Sequence, residues 1–147
     1  MKLKQISVPI ENSHRRLYEF TRALGDNGIN PQAMALVDTG NFGELRVLVS
    51  DTAKARQILM QKDIPGRVDD VVAVQLEDKP GQLPELLARL MEADINVKYG
   101  YALAGRNSGN IIMVFRFSDN DKAIRVLREK EVRLVDSDAI GKLEATC

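Results

Sequence analysis

The chain has 147 residues, 44% of them hydrophobic, which excludes a disordered chain and allows one ordinary domain or two small ones. Its 21 Lys plus Arg balance 21 Asp plus Glu, so no bulk electrostatic attraction to nucleic acid or anionic lipid is expected. Its single cysteine, Cys147, excludes an intrachain disulfide, and no apolar stretch reaches the roughly 18 residues of a membrane span. With no signal-peptide pattern at the N-terminus, we expect a cytoplasmic protein.

The first half of the chain predicts three strands and two helices before a final strand. Residues 3–10 alternate between apolar and polar types, as in a half-buried strand. In the strand predicted at 29–39, Met34 and Leu36 are predicted to point inward. The predicted elements are, in chain order, strand 3–10, a helix that ends at Asn27-Gly28, strands 29–39 and 44–50, helix 51–62 and strand 67–76.

The second half predicts the same order of elements. Its first helix carries apolar residues at helical spacing, which predicts one buried stripe formed by Leu83, Leu86, Leu87, Leu90 and Met91. The predicted elements are strand 71–76, helix 82–93, strands 95–103 and 111–117, helix 119–130 and strand 132–135.

The two halves are a sequence repeat. A shift of 66 positions pairs Glu19 with Glu85 and Asn30 with Asn96, and a shift of 68 pairs the two Ser-Asp sequences at 50–51 and 118–119. A repeat of this length indicates a duplicated domain rather than a solenoid unit.

Strand-helix-strand-strand-helix-strand is the order of a ferredoxin-like domain, in which an antiparallel four-stranded sheet carries two helices on one face. The sequence therefore predicts an α+β fold with two such βαββαβ domains, at 1–70 and 71–147. No Gly, Ser or Pro separates them at 69–71, so we expect the last strand of one to continue into the next and join the sheets into one larger sheet.

Two stretches of the second half resemble the signature of ACT domains, the small-molecule-binding modules of amino-acid metabolism. They are Asp78-Lys79-Pro80-Gly81-Gln82-Leu83 and, after the helix, Asp94-Ile95-Asn96-Val97. The resemblance covers essentially the whole chain. The chain is similar to stand-alone tandem ACT proteins. It implies paired domains that bind a free amino acid near the strand-to-helix loop at a domain interface. With no enzyme attached, it implies that any regulatory effect of ligand binding acts on a separate metabolic enzyme or regulator.

The loop before the second-half helix has the chemistry for such a ligand. Gly81 lacks a Cβ and allows close approach, and the helix amides of Gln82 and Leu83 can bind a carboxylate. Asp78, next to Lys79, can accept a hydrogen bond from the ligand ammonium, and Asn96 offers a donor and an acceptor. The alternatives are structural: Asp78 as a helix cap, Gly81 as a turn residue and Asn96 as an ordinary strand-entry residue.

The first-half counterparts of this loop depart from the pattern. Asn12 matches Asp78 and Asn30 matches Asn96, but Arg15 stands where the second half has Gly81. Arg15 either blocks a ligand, grips its carboxylate, or points to solvent. The single histidine, His14, is either a surface residue or a hydrogen-bonding partner of a ligand.

Other classes of function fit the sequence less well. No nucleophile-base set, metal cluster or phosphate loop is visible, so we expect neither an enzyme nor a cofactor. An RNA-binding sheet needs exposed stacking aromatics, for which Phe115 and Phe117 are the candidates. The main alternative to an allosteric amino-acid sensor is a protein-protein interaction module that has lost ligand binding. Exposed edge strands favour a homodimer.

Overall fold

The computed structural model describes residues 2–10, 14–38, 40, 43–104, 109–136 and 140. The chain divides into two compact units. The first unit is Lys4–Asp69, and the second unit is Asp70–Cys147 together with Met1–Leu3.

The first unit has the strand order β2-β3-β1-β4, which is that of a ferredoxin-like sheet. Its elements are β1 (Leu3–Ile10), α1 (His14–Asp26), β2 (Pro31–Asp38), β3 (Gly43–Val49), α2 (Thr52–Gln61) and β4 (Arg67–Glu77). Strands β1 and β3 pair antiparallel, with Ile6 opposite Val47 and Val8 opposite Leu45. These four residues pack against α1 and α2 in the buried core, which also contains Phe20, Leu24, Ala55, Ile58 and Leu59.

The second unit repeats the order as β7-β4-β6-β5. Its further elements are α3 (Gln82–Glu92), β5 (Val97–Ala104), β6 (Asn110–Phe117), α4 (Asn120–Glu129) and β7 (Arg133–Val135). Strand β4 belongs to both sets of strands, so the predicted α+β fold of two ferredoxin-like domains joined through one strand is confirmed. Its core includes Val72, Val74, Leu86, Leu90, Phe115, Phe117 and Leu127. Because Phe115 and Phe117 are buried there, they are not an RNA-stacking surface.

The sequence repeat is reproduced in backbone detail at the helix ends. The amides of Ile29 and Ile95 donate to Leu24 and Leu90 carbonyls, each at 2.9 Å. The second helices begin alike, because the side chains of Asp51 and Asp119 each accept from a backbone N–H at 3.0 Å. The two halves therefore share the hydrogen bonds of these turns and caps as well as the arrangement of the core.

Three burial patterns differ from the expectations. Met34 and Leu36 were predicted to point inward, but they are 46% and 58% exposed because β2 is the edge strand of the first unit. On α3 only Leu86 and Leu90 are buried, whereas the rest of the predicted stripe is exposed at Leu83, Leu87 and Met91.

Strand β1 is the third difference. It is buried on both faces, since Gln5 and Ser7 are fully buried although the alternating pattern predicts solvent contact for them.

Among the described helices, none is long and apolar enough to cross a membrane.

Candidate functional site

The loop from Asp78 to Gly81 connects β4 to α3, and backbone hydrogen bonds hold it in place. The Asp78 N–H donates to the carbonyl of Gly109 at 2.9 Å, and the Lys79 N–H donates to the Glu77 carbonyl at 2.9 Å. Gly81 is the N-cap of α3 and has a φ of +92°, a left-handed conformation that glycine adopts without steric cost. A Cβ at this position would have no atom within 4 Å, so the backbone of Gly81 faces open space.

Helix α3 begins without a side-chain cap, unlike α2 and α4. Asp78 therefore does not have the capping role that the sequence left open. The first amides of a helix have no intrahelical acceptor, and the Gln82 N–H has only a long contact of 3.5 Å with the Lys79 carbonyl. The amides of Gln82 and Leu83 are therefore available to an anion, supported by the positive end of the helix dipole.

The charges of the loop are partly compensated. The Lys79 ammonium lies 2.6 Å from a Glu77 carboxylate oxygen. The hydrogen bond to Glu77 and its negative charge raise the pKa of Lys79 above the ordinary value. Asp78 is exposed, and within the described residues its carboxylate has no side-chain partner. The loop thus combines free amide donors with one available carboxylate, which suits a ligand carrying both an acid and an amine.

Asn96 lies at the opposite end of the second unit from this loop. Glu77 is paired with Asn110 at the start of β6, whereas Val97 is paired with Phe117 at its end. Seven residues of strand separate these levels, roughly 23 Å. One amino acid therefore cannot contact Gly81 and Asn96 of the same unit. The Asn96 backbone is fixed by Ser118, whose Oγ accepts from the Asn96 N–H at 3.0 Å.

The first-half candidates are only partly described. Asn12 and the side chain of His14 lie outside the described part of the chain. Arg15 points to solvent and forms an ion pair with Glu19 at 3.5 Å, one turn further along α1. Asn30 is exposed at the entry to β2. This arrangement matches the alternative in which Arg15 points to solvent, and a contact of Arg15 with a ligand stays a prediction.

A buried polar network in the first unit was missed by the sequence analysis. Gln5 donates to the Ser7 hydroxyl at 3.0 Å, and that hydroxyl donates to Asp69 at 2.8 Å. Asp69 in turn pairs with Arg67 at 3.2 Å, and Arg67 also contacts Glu44. Burial lowers the pKa of Arg67, but the charges of Asp69 and Glu44 outweigh it and raise that pKa overall. The positions 5 and 7 alternate with apolar residues, so nothing in the pattern marks them as buried.

No group of three or more His, Cys, Asp or Glu residues within the described ranges could hold a metal ion. The arrangement around α3 therefore offers backbone amides, an exposed carboxylate and an open glycine. These groups have the chemistry to bind and orient a small polar molecule.

Comparison with known families agrees with this architecture. The chain matches the family described as the ACT domain pair over residues 1–144, so it belongs to that family. No curated protein matches the chain.

Solved structures extend the comparison. Protein BT0572 from Bacteroides thetaiotaomicron is similar with 34% identity and a TM-score of 0.89, covering 95% of this chain and 96% of that chain. The ligand-free regulatory subunit of aspartate kinase from Thermus thermophilus shares the fold, with 14% identity, a TM-score of 0.59 and coverage of 86% and 90%. Aspartokinase III from E. coli, in complex with aspartate and ADP, has 15% identity and a TM-score of 0.54. This chain covers 31% of that enzyme.

Proposed function

We propose that this ACT domain pair is a cytoplasmic regulatory protein that senses a free amino acid and acts on a separate metabolic enzyme or regulator. The observation that carries the proposal is the uncapped start of α3 behind Gly81. The family and the regulatory subunit that shares its fold support a regulatory role. Catalysis forms no part of this function.

In the proposed complex the ligand carboxylate accepts hydrogen bonds from the Gln82 and Leu83 amides. The ligand ammonium is bound by Asp78, whose exposed carboxylate lies in the same loop. Because Gly81 faces open space, the ligand can approach the backbone closely. Lys79, held by Glu77, makes a smaller contribution.

The distance between Gly81 and Asn96 gives Asn96 a different role. Asn96 and its first-half counterpart Asn30 cannot complete the loop of their own unit, because each lies at the far end of the sheet from that loop. We propose that Asn96 reaches the ligand bound to a second copy of the chain. The homodimer then becomes part of the binding site.

The test is a thermal-shift screen of the protein against the twenty amino acids, followed by calorimetry on each hit. A ligand at about 100 times its dissociation constant adds roughly 2.7 kcal/mol to the free energy of unfolding. We expect a small set of related amino acids to give this stabilisation. If no amino acid stabilises the folded protein, the sensor function is wrong.

Gly81→Arg locates the site, with Gly28→Arg as its matched control. Both glycines have positive φ and open space at the Cβ position, so both variants carry the same backbone strain. Only Gly81→Arg places a side chain over the α3 amides, and it is expected to abolish amino-acid binding. Equal loss in both variants would show that the effect arises from stability and not from the loop.

One observation favours the alternative of a protein-interaction module. Leu83, Leu87 and Met91 form an exposed apolar stripe along α3, spaced four residues apart. A contact there with another protein would not need a bound amino acid. An absence of ligand binding in the screen would make this alternative the better one.

A further inference from the structure

A groove runs beside α1 in the first unit, separate from the strand-to-helix loops. Its volume is about 420 Å³, within the range of roughly 300–1,000 Å³ that small-molecule sites occupy. Its lining includes Tyr18, Glu19 and Ala23 on α1, and Lys62 and Ile64 after α2. Asp63, between the last two, has a φ of +52°, and the turn it forms directs Ile64 back toward the helix.

The second unit has a groove that overlaps the matched position in part and extends toward Glu77 and Gln82 at the start of α3. Glu85, Arg89 and Val132 line it, and these residues correspond in the repeat to Glu19, Ala23 and Ile64. Its volume is only about 230 Å³, below the usual range for a ligand site.

Arg89 occupies the part of the second groove that corresponds to Ala23 in the first unit. Its guanidinium crosses from α3 to the carbonyl of Lys130, at 3.4 Å, and lies 3.7 Å from the Glu85 carboxylate. The first unit has Ala23 at this position, and the Ala23 side chain is too short to cross its groove. The duplication has therefore left one copy filled and the other open.

The open groove combines an apolar floor with one uncompensated positive charge. Ala23 and Ile64 are buried core residues, and Tyr18 is an aromatic side chain with 65% exposure at the rim. The carboxylates of Glu19 and Asp26 are engaged by Arg15 at 3.5 Å and Arg22 at 3.3 Å. The Lys62 ammonium has no such partner within the described part of the unit.

We propose that this groove binds a small organic carboxylate with an apolar or aromatic body. The carboxylate pairs with Lys62, and the body lies over Ala23 and Ile64 against the ring of Tyr18. This site is independent of the amino-acid site at Gly81, and it requires no ammonium group on the ligand. The first unit then contributes a ligand site of its own although its strand-to-helix loop has diverged.

The test uses 3-phenylpropionate as the probe and its neutral amide, 3-phenylpropionamide, as the matched ligand control. Calorimetry on the full chain is expected to detect the acid and to give at least tenfold weaker binding for the amide, because the amide cannot pair with Lys62. Amide hydrogen-nitrogen NMR spectra should show shifts at Tyr18 and Ile64. No binding of the acid, or equal binding of the amide, would overturn the proposal.

Two variants locate the probe. Ala23→Arg reproduces the residue of the second unit, where Glu85 and the Lys130 carbonyl receive the guanidinium, so it is expected to fill the groove and abolish binding. Lys62→Gln changes an exposed side chain and should weaken binding about tenfold without affecting the fold. The control is Lys130→Gln, at the same helix-capping position of the second unit.

Retention of full affinity in folded Ala23→Arg, or an equal effect of Lys62→Gln and Lys130→Gln, would show that the groove is not the site. Gly81→Arg should leave binding of 3-phenylpropionate unchanged. That result keeps a failure of the amino-acid sensor function distinct from a failure of this proposal.

Discussion

At the scale of single residues, Gly81 has a structural cost that is separate from any ligand. Its φ of +92° resembles the +71° of Gly28, and neither position crowds a Cβ. A side chain in the left-handed region costs about 1–2 kcal/mol. We therefore expect Gly81→Ala and Gly28→Ala to lower the free energy of unfolding by similar amounts, measured by urea denaturation. A loss at Gly28 but not at Gly81 would contradict the conformation described for the loop.

The buried network around Asp69 is the second feature at this scale. Asp69→Ala leaves the fully buried Ser7 hydroxyl without its acceptor and Arg67 without one of its two partners. An unsatisfied buried polar group costs about 1–3 kcal/mol, so a loss of that size is expected in urea denaturation. Because Ser7 and Asp69 are in direct contact, the effects of Ser7→Ala and Asp69→Ala should not be additive. Additive losses would show that their hydrogen bond contributes nothing to stability.

At the scale of elements, the caps of α2 and α4 allow a comparison within one molecule. Asp51 and Asp119 accept from backbone amides with the same geometry, while Asp78 caps no helix. Replacing a capping Asp by Ala costs about 1 kcal/mol. We expect this loss from Asp51→Ala and from Asp119→Ala, and a change below about 0.5 kcal/mol from Asp78→Ala. An equal loss at Asp78 would restore the capping role that the sequence left open.

The elements also show what the sequence can and cannot predict. Hydrophobic periodicity, together with Gly and Asp at the ends of elements, predicts the bounds of the strands and helices to within about two residues. This works because periodicity and capping depend on neighbouring residues in the sequence. Whether a strand is at an edge depends on distant pairing, so the exposure of Met34 and Leu36 is not readable from alternation. The same holds for buried Gln5 and Ser7. The residues of the loop at Gly81 are local and predictable, whereas the separation of Asn96 from them follows from the register of β6.

At the scale of the whole molecule, the two copies have diverged in complementary ways. The second keeps Gly81 where the first has Arg15, while the first keeps the open groove at Ala23 that Arg89 crosses in the second. The two copies of one fold thus have two surfaces with different chemistry. The two proposed ligand sites therefore lie in different places of the two copies.

Strand β2 shows a third difference, and it bears on assembly. The repeat matches the exposed Met34 and Leu36 with the small residues Gly100 and Ala102 of β5. Within the described residues β2 pairs only with β3, so its outer backbone groups are open along an apolar edge. Soluble proteins cover or charge such edges, and we expect a second copy of the chain to cover this one.

Leu36→Lys tests this expectation of a homodimer by multi-angle light scattering. Burying a Leu is worth about 1.5–3 kcal/mol, and a symmetric dimer loses that contribution twice, so dissociation should become at least 100-fold easier. The wild type is expected at twice the chain mass and Leu36→Lys near the mass of one chain at the same concentration. Met60→Lys, which places the same charge on an isolated Met with 76% exposure on α2, should leave the mass unchanged. A monomeric wild type, or a Leu36→Lys variant that remains dimeric, would show that β2 does not form the interface.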